Sequence, residues 1–116
     1  MITTRTLDAV TILELRGPLA AGGEDAALRK AIREAFEAGA TTVILNMREV
    51  PGIDSSGVAA LASGHMTAAN RSGHLKLCHL TQKLKDVFVI MRLHTVFDSY
   101  DTEAEAIASV RSTKQG

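Results

Sequence analysis

The chain has 116 residues, with 13 Lys plus Arg balanced by 13 Asp plus Glu, 46% hydrophobic residues and only 3% aromatic. A length of this order holds one core, so residues 1–116 are expected to form one domain; the neutral balance gives no long-range pull toward nucleic acid or an anionic membrane, and so few aromatics argue against a base-stacking platform. A single cysteine, Cys78, rules out an internal disulfide and points to the reducing cytoplasm, while apolar runs such as Val58 to Leu61 and Val87 to Met91 fall far short of the ~20 residues that span a bilayer.

Met1 to Leu7 lacks the charged and apolar regions of an export signal, and can pair as a strand with Val10 to Arg16 across Asp8-Ala9. In "VTILELR" the alternation of Leu13, Glu14 and Leu15 predicts a half-buried strand, so the pair forms a hairpin at a sheet edge. Leu28, Ala31, Ile32, Ala35 and Phe36 recur at the three-and-four spacing of a helix face; that helix runs roughly from Glu24 to Ala38, and Gly39 stands where it stops. "TTVILNM", Thr41 to Met47, is rich in β-branched residues without alternation, which predicts a central strand covered on both faces. Val58, Leu61, Ala62, Met66 and Ala69 mark the buried stripe of a second helix that ends near Gly73. His74 to Leu80 reads as a short strand, and Leu84, Val87, Phe88 and Met91 form a third helical stripe. Thr95 to Phe97 reads as a last strand, and Asp101-Thr102 caps a final helix bearing Ala104, Ile107 and Val110, with Ser112 to Gly116 as a frayed tail. Strands alternating with helices predict an α/β fold: a mixed, mostly parallel sheet with an N-terminal hairpin and about four helices.

In such sheets ligand sites lie at the carboxyl ends of the strands, where loops open into helix N-termini. "PGIDSSGVAAL", Pro51 to Leu61, occupies that place. A hydrolase elbow needs glycine two positions either side of its serine, whereas Ile53 and Asp54 stand upstream of Ser55 and Ser56, and spacing brings none of His65, His74, His79 and His94 to Ser55. Gly22-Gly23 leads into Glu24-Asp25 rather than Lys and Ser or Thr, so it reads as a flexible loop before an acidic helical turn and not as a phosphate cradle. His74, Cys78 and His79 cannot share one metal ion, because on a strand residue 79 points away from residues 74 and 78. His65 reads as boundary packing. "MREVPGID" suggests a phosphate-accepting receiver domain, but the strand carries Asn46 where the acceptor aspartate would stand, and no acid pair follows the first long strand to bind Mg²⁺. What remains is a helix opening. Asp54, Ser55 and Ser56 all suit a cap, but two serines exceed what a cap requires: a hydroxyl at a helix N-terminus is also a suitable phosphate acceptor, and the added charge would repel a partner matched to the neutral form.

The pieces "LELRGPL", "TTVILNMREVPGIDSSG", "SGHLKL" and "VFDSYDTEAEAI" resemble the STAS-domain family, the anti-sigma factor antagonists of bacteria, over nearly the whole chain. The resemblance implies a non-enzymatic α/β domain that, unphosphorylated, binds an anti-sigma factor serine kinase and frees the sigma factor. Phosphorylation of Ser55 would end that interaction and a serine phosphatase would restore it, with Asp54, Ser56 and Gly57 shaping the turn and its contacts. ATP and Mg²⁺ would belong to the kinase, so the chain itself is expected to hold no cofactor and no metal. The sequence departs from the family at Ala20, where an acidic residue is usual near the partner surface, and at Met91-Arg92-Leu93, where a glycine is commoner. The alternative within the family is a constitutive interaction subunit of a lipid-transport ATPase complex or a signalling scaffold.

Overall fold

The computed structural model describes residues 1–115, with side chains described for residues 1–110. In chain order the elements are β1 (Ile2–Leu7), β2 (Val10–Arg16), α1 (Asp25–Glu37), β3 (Thr42–Glu49), α2 (Ser55–Asn70), β4 (His74–Cys78), α3 (Gln82–Ile90), a 3-10 turn (Leu93–Thr95), β5 (Asp98–Tyr100) and α4 (Glu103–Gln115). They build one five-stranded sheet in the order β1-β2-β3-β4-β5. The first pair is antiparallel and the other three are parallel. This is the mixed, mostly parallel α/β fold with an N-terminal hairpin that the alternation of periods predicts, and β3 is its middle strand.

The two-residue period of β2, β3 and β4 divides the core in two. Leu13, Leu15, Val43, Leu45, Met47, Leu75 and Leu77 belong to a large cluster with Leu28, Ile32 and Phe36 of α1, Ala60, Leu61 and Ala68 of α2, and Leu84 and Phe88 of α3. Val10, Ile12, Ile44 and Cys78 form a smaller cluster with Ala106 and Val110 of α4. Helices on both faces explain why β2 is buried through Val10 to Leu13 rather than half-buried as its alternation suggests. Because each parallel crossover returns the chain through a helix, the N-termini of α1, α2 and α3 all open at the carboxyl ends of the strands.

Several local expectations need correction. The last strand is Asp98–Tyr100, not Thr95 to Phe97; Arg92 turns left-handed at φ 59° and starts a 3-10 turn. Phe97 then leaves the sheet to pack beside His65 and Phe88. The buried face of α2 is Gly57, Ala60, Leu61, Gly64 and Ala68, whereas Ala62, Met66 and Ala69 are exposed and Val58 is only half-buried. In α3, Leu84 and Phe88 are buried but Val87 is half-buried and Met91 exposed; in α4, Ala106 and Val110 are buried, Ile107 is half-buried and Ala104 is exposed. β4 stops at Cys78 because His79 takes a left-handed φ of 57°. The backbone of α4 is described to Gln115; within the expected tail, Ser112 to Gly116, the side chains and Gly116 lie outside the described residues.

Candidate functional site

After β3 the chain leaves the sheet through Val50, Pro51 and Gly52 and is stitched to the segment that follows β2. Gly17 N–H donates to Glu49 O at 3.1 Å, Leu19 N–H to Gly52 O at 3.1 Å, and Asp54 N–H to Leu19 O at 3.3 Å. Leu19 and Ile53 are bridged as a short parallel pair. The first turn of α2 sits directly on this stitch: a Cβ on Gly57 would lie 1.9 Å from Leu19 O and 2.7 Å from Ile53 Cγ1. Only glycine permits that approach.

Asp54 is the N-cap of α2, with extended φ of −116° and ψ of −170°. Its Oδ1 accepts from Gly57 N–H at 3.0 Å and its Oδ2 from Ala21 N–H at 3.2 Å, so one carboxylate caps the helix and anchors the neighbouring loop. The Gly57 N–H, followed by that of Ala21, holds the Asp54 carboxyl below its ordinary range despite some desolvation. The expectation that Ser56 shares the capping is not met: no hydrogen bond of its hydroxyl occurs among the described residues, and Asp54 alone caps.

Ser55 is the first residue of α2 and is exposed, Ser56 is half-buried, and Gly57 is buried. Among the described residues the Ser55 hydroxyl makes no hydrogen bond. The four histidines are engaged or placed elsewhere: His65 packs edge-on to Phe97 at 5.6 Å, His79 Nε2 meets Arg48 Nη2 at 3.1 Å, His94 Nδ1 lies 3.4 Å from Phe88 O, and His74 is exposed at the start of β4. The arrangement thus offers an uncommitted hydroxyl at the positive end of a helix dipole, on a turn fixed from beneath. Ala20 is half-buried in the loop that Asp54 anchors. Lys83 of α3 brings its ammonium alongside the turn, 3.8 Å from where a Cβ on Gly52 would stand, a neighbour that no spacing in the sequence signals.

Asn46, the residue in the receiver-type position, is buried and committed. Its Nδ2 donates to Glu103 Oε2 at 2.7 Å and its Oδ1 accepts from Arg48 N–H at 3.0 Å. Burial, then the charge of Glu103, pushes the neighbouring Cys78 thiol up to about 12 against the opposing pull of Arg48 and Arg5, which keeps it protonated. No three His, Cys, Asp or Glu side chains converge on a common point among the described residues, and no helix there is long and apolar enough to cross a membrane.

No curated protein matches the sequence. Solved structures do resemble the fold. A Thermotoga maritima protein provisionally assigned as an anti-sigma factor antagonist is 22% identical, with a TM-score of 0.87 over 95% of this chain and 94% of that one. The anti-sigma factor antagonist SpoIIAA in its unphosphorylated form is 24% identical, with a TM-score of 0.74 over 96% and 98%. The Bacillus cell fate determinant SpoIIAA in its phosphorylated form gives 24% and 0.72 over 95% and 99%. At these identities the likeness establishes the fold. The STAS domain family model matches residues 1–106, which takes in the sheet, the Asp54 to Gly57 turn and the start of α4; the chain belongs to the STAS domain family.

Proposed function

We propose that this protein is a non-enzymatic anti-sigma factor antagonist, a single domain whose unphosphorylated form binds an anti-sigma factor serine kinase in the cytoplasm and frees the sigma factor. Phosphorylation of Ser55 switches that binding off, and a serine phosphatase reverses it. The observation that carries the reading is the division of labour at the start of α2. Asp54 supplies the cap and Gly57 the close packing, while the adjacent Ser55 hydroxyl is exposed and uncommitted. Nothing in the fold needs that hydroxyl, so a phosphate can be added there without disturbing the domain. Roughly two negative charges at pH 7 would then meet a partner surface matched to a neutral helix end. Asp54 and Gly57 hold the turn, the half-buried Ser56 adds to the contacts that the partner reads, and ATP and Mg²⁺ come with the kinase. The similarity to SpoIIAA, a protein solved in both unphosphorylated and phosphorylated forms, supports the reading.

The test is incubation with the candidate kinase and ATP, followed by mass spectrometry of the Ser55 peptide and a binding measurement. The modification is expected at Ser55 and is abolished in Ser55→Ala, while Ser55→Asp weakens kinase binding by at least about tenfold, as expected for charge placed against a matched surface. An unmodified Ser55, or a Ser55→Asp variant that binds as tightly as the unaltered chain, removes the switch. Co-purification with a nucleotide-binding transport subunit instead of a kinase would favour the constitutive-subunit role.

A further inference from the structure

One face of the sheet carries three helices over a continuous apolar core, whereas α4 rests on a much smaller cluster on the other face. Its described contribution is two enclosed side chains, Ala106 and Val110, with Ile107 half-buried. A polar anchor at its first residue supplements this limited area. Glu103 Oε1 and Oε2 accept from Arg5 Nη2 at 2.8 and 2.7 Å, and Oε2 also accepts from Asn46 Nδ2 at 2.7 Å. Arg5 is oriented in turn by Glu14, whose Oε2 accepts from its Nε at 3.2 Å. α4 also has its own N-terminal closure: Glu105 N–H donates to Thr102 Oγ1 at 3.1 Å, and Thr102 N–H to Glu105 Oε1 at 3.2 Å. That reciprocal capping pair lets the first turn persist without the sheet.

We propose that α4 is a latched cover: it lifts from the sheet as a unit while the three-helix side stays folded, with the Glu103 carboxylate as the latch and Asp101-Thr102 as the hinge. Opening uncovers the strip formed by Val10, Ile12, Ile44 and Cys78. Sub-global openings of this kind involve elements with little apolar contact, and the described residues of α4 enclose only the short side chains of Ala106 and Val110. The charged groups around the latch are Arg5 from β1, Glu14 from β2, Arg48 from β3 and His79 beyond β4. Desolvation alone would raise the Glu103 pKa. The hydrogen bonds from Arg5 and Asn46, with the charges of Arg5 and His79, outweigh it and hold the carboxyl below its ordinary range. A carboxylate depressed in the closed state contributes fully above its ordinary range, and its contribution is lost as pH falls through the lowered value. Acid therefore releases the cover.

Cys78 is fully buried beneath α4 and serves as the reporter. The experiment follows its alkylation by iodoacetamide across pH, divided at each pH by the rate for the urea-unfolded chain, alongside hydrogen exchange of the β3 amides. Alkylation of the unaltered protein is expected in urea too dilute to unfold it, with a shallow denaturant dependence and acceleration on acidification. Glu103→Gln is expected to raise the rate about tenfold at neutral pH, as loss of a charge-assisted anchor implies, with β3 exchange unchanged. Asn46→Asp sets a second carboxylate against Glu103, so its cover is expected to open at neutral pH and close again as the pair takes up one shared proton, reversing the pH profile over that step. The proposal is overturned if Cys78 reacts only with the free energy and denaturant slope of β3 exchange, if Glu103→Gln accelerates both equally, or if Asn46→Asp keeps the original pH profile.

Discussion

At the scale of single residues, the turn before α2 assigns one task to each position. Gly57 is fixed by space rather than by backbone torsion, since the Leu19 carbonyl occupies the place of a side chain and a carbonyl on a stitched segment cannot move aside cheaply. Gly57→Ala is therefore expected to cost about 3 kcal/mol, the scale of severe overpacking, visible as a lower urea midpoint. Asp54 acts through its charge. Its carboxyl is held low chiefly by the Gly57 N–H and then by that of Ala21, so its contribution to stability is complete above the ordinary carboxyl range and fades as pH falls through the lowered value. Asp54→Asn is expected to lower stability at neutral pH and to flatten the acid limb of the stability profile, measured by urea unfolding at a series of pH values. Arg92 shows the reverse case, a bulky residue in a conformation that suits glycine: it is exposed and sits at φ 59° and ψ 24°. Arg92→Gly relieves that strain at some cost in unfolded-state entropy, a net gain of about 0.5 kcal/mol in thermal or chemical unfolding.

At the scale of elements, legibility in the sequence followed contrast. α1 shows Leu28, Ile32, Ala35 and Phe36 against charged neighbours, and β3 shows a β-branched, apolar segment without alternation, so both are readable from the residue pattern. α2 has no charged residue across its sixteen positions and buries glycine and alanine, so its large residues mislead: Met66 is exposed while Gly64 is enclosed. The reason is close packing. A Cβ on Gly64 would come within 2.6 Å of Ile32 Cδ1 and 3.2 Å of Leu75 Cδ2, so the helix rests on α1 and β4 through its small face. These obstacles are the ends of flexible side chains, unlike the carbonyl that faces Gly57. Gly64→Ala also gains helix propensity and is expected to stay within about 1 kcal/mol of the unaltered chain by urea unfolding, and a loss as large as that of Gly57→Ala would disprove this account. β5 carries no signal in the sequence, because Asp98-Ser99-Tyr100 has neither alternation nor a β-branched residue, and only its pairing with Lys76 to Cys78 makes it a strand. At the candidate site the cap was readable from the residue type of Asp54. The Leu19 carbonyl under Gly57, the Ala21 N–H on Asp54 and the Arg5 grip on Glu103 join positions too distant in sequence for any local pattern to reveal.

For the molecule as a whole, the surface that a partner would read and the core that sustains the fold are separate, and this separation is what a phosphate switch requires. The large cluster under α1, α2 and α3 is closed beneath the turn, while Ser55 stands outside it at the end of a helix whose cap is supplied by another residue. A negative charge at that position gains from the helix dipole and loses by proximity to the Asp54 carboxylate, two effects of similar size and opposite sign. Ser55→Asp is therefore expected to change folding stability by less than about 1 kcal/mol, read by differential scanning calorimetry, in the same variant expected to lose kinase binding. The pairing of the two measurements is what gives the prediction its force. A loss of binding accompanied by a large drop in the thermal midpoint would mean that the turn had been damaged rather than switched, whereas binding lost at unchanged stability places the effect at the interface. With a formal net charge of zero on the chain, the modification would also be a large fractional change in its overall electrostatics. The binding difference between Ser55→Asp and the unaltered protein should accordingly shrink as salt is raised, because an exposed helix end is screened over about 10 Å at moderate ionic strength.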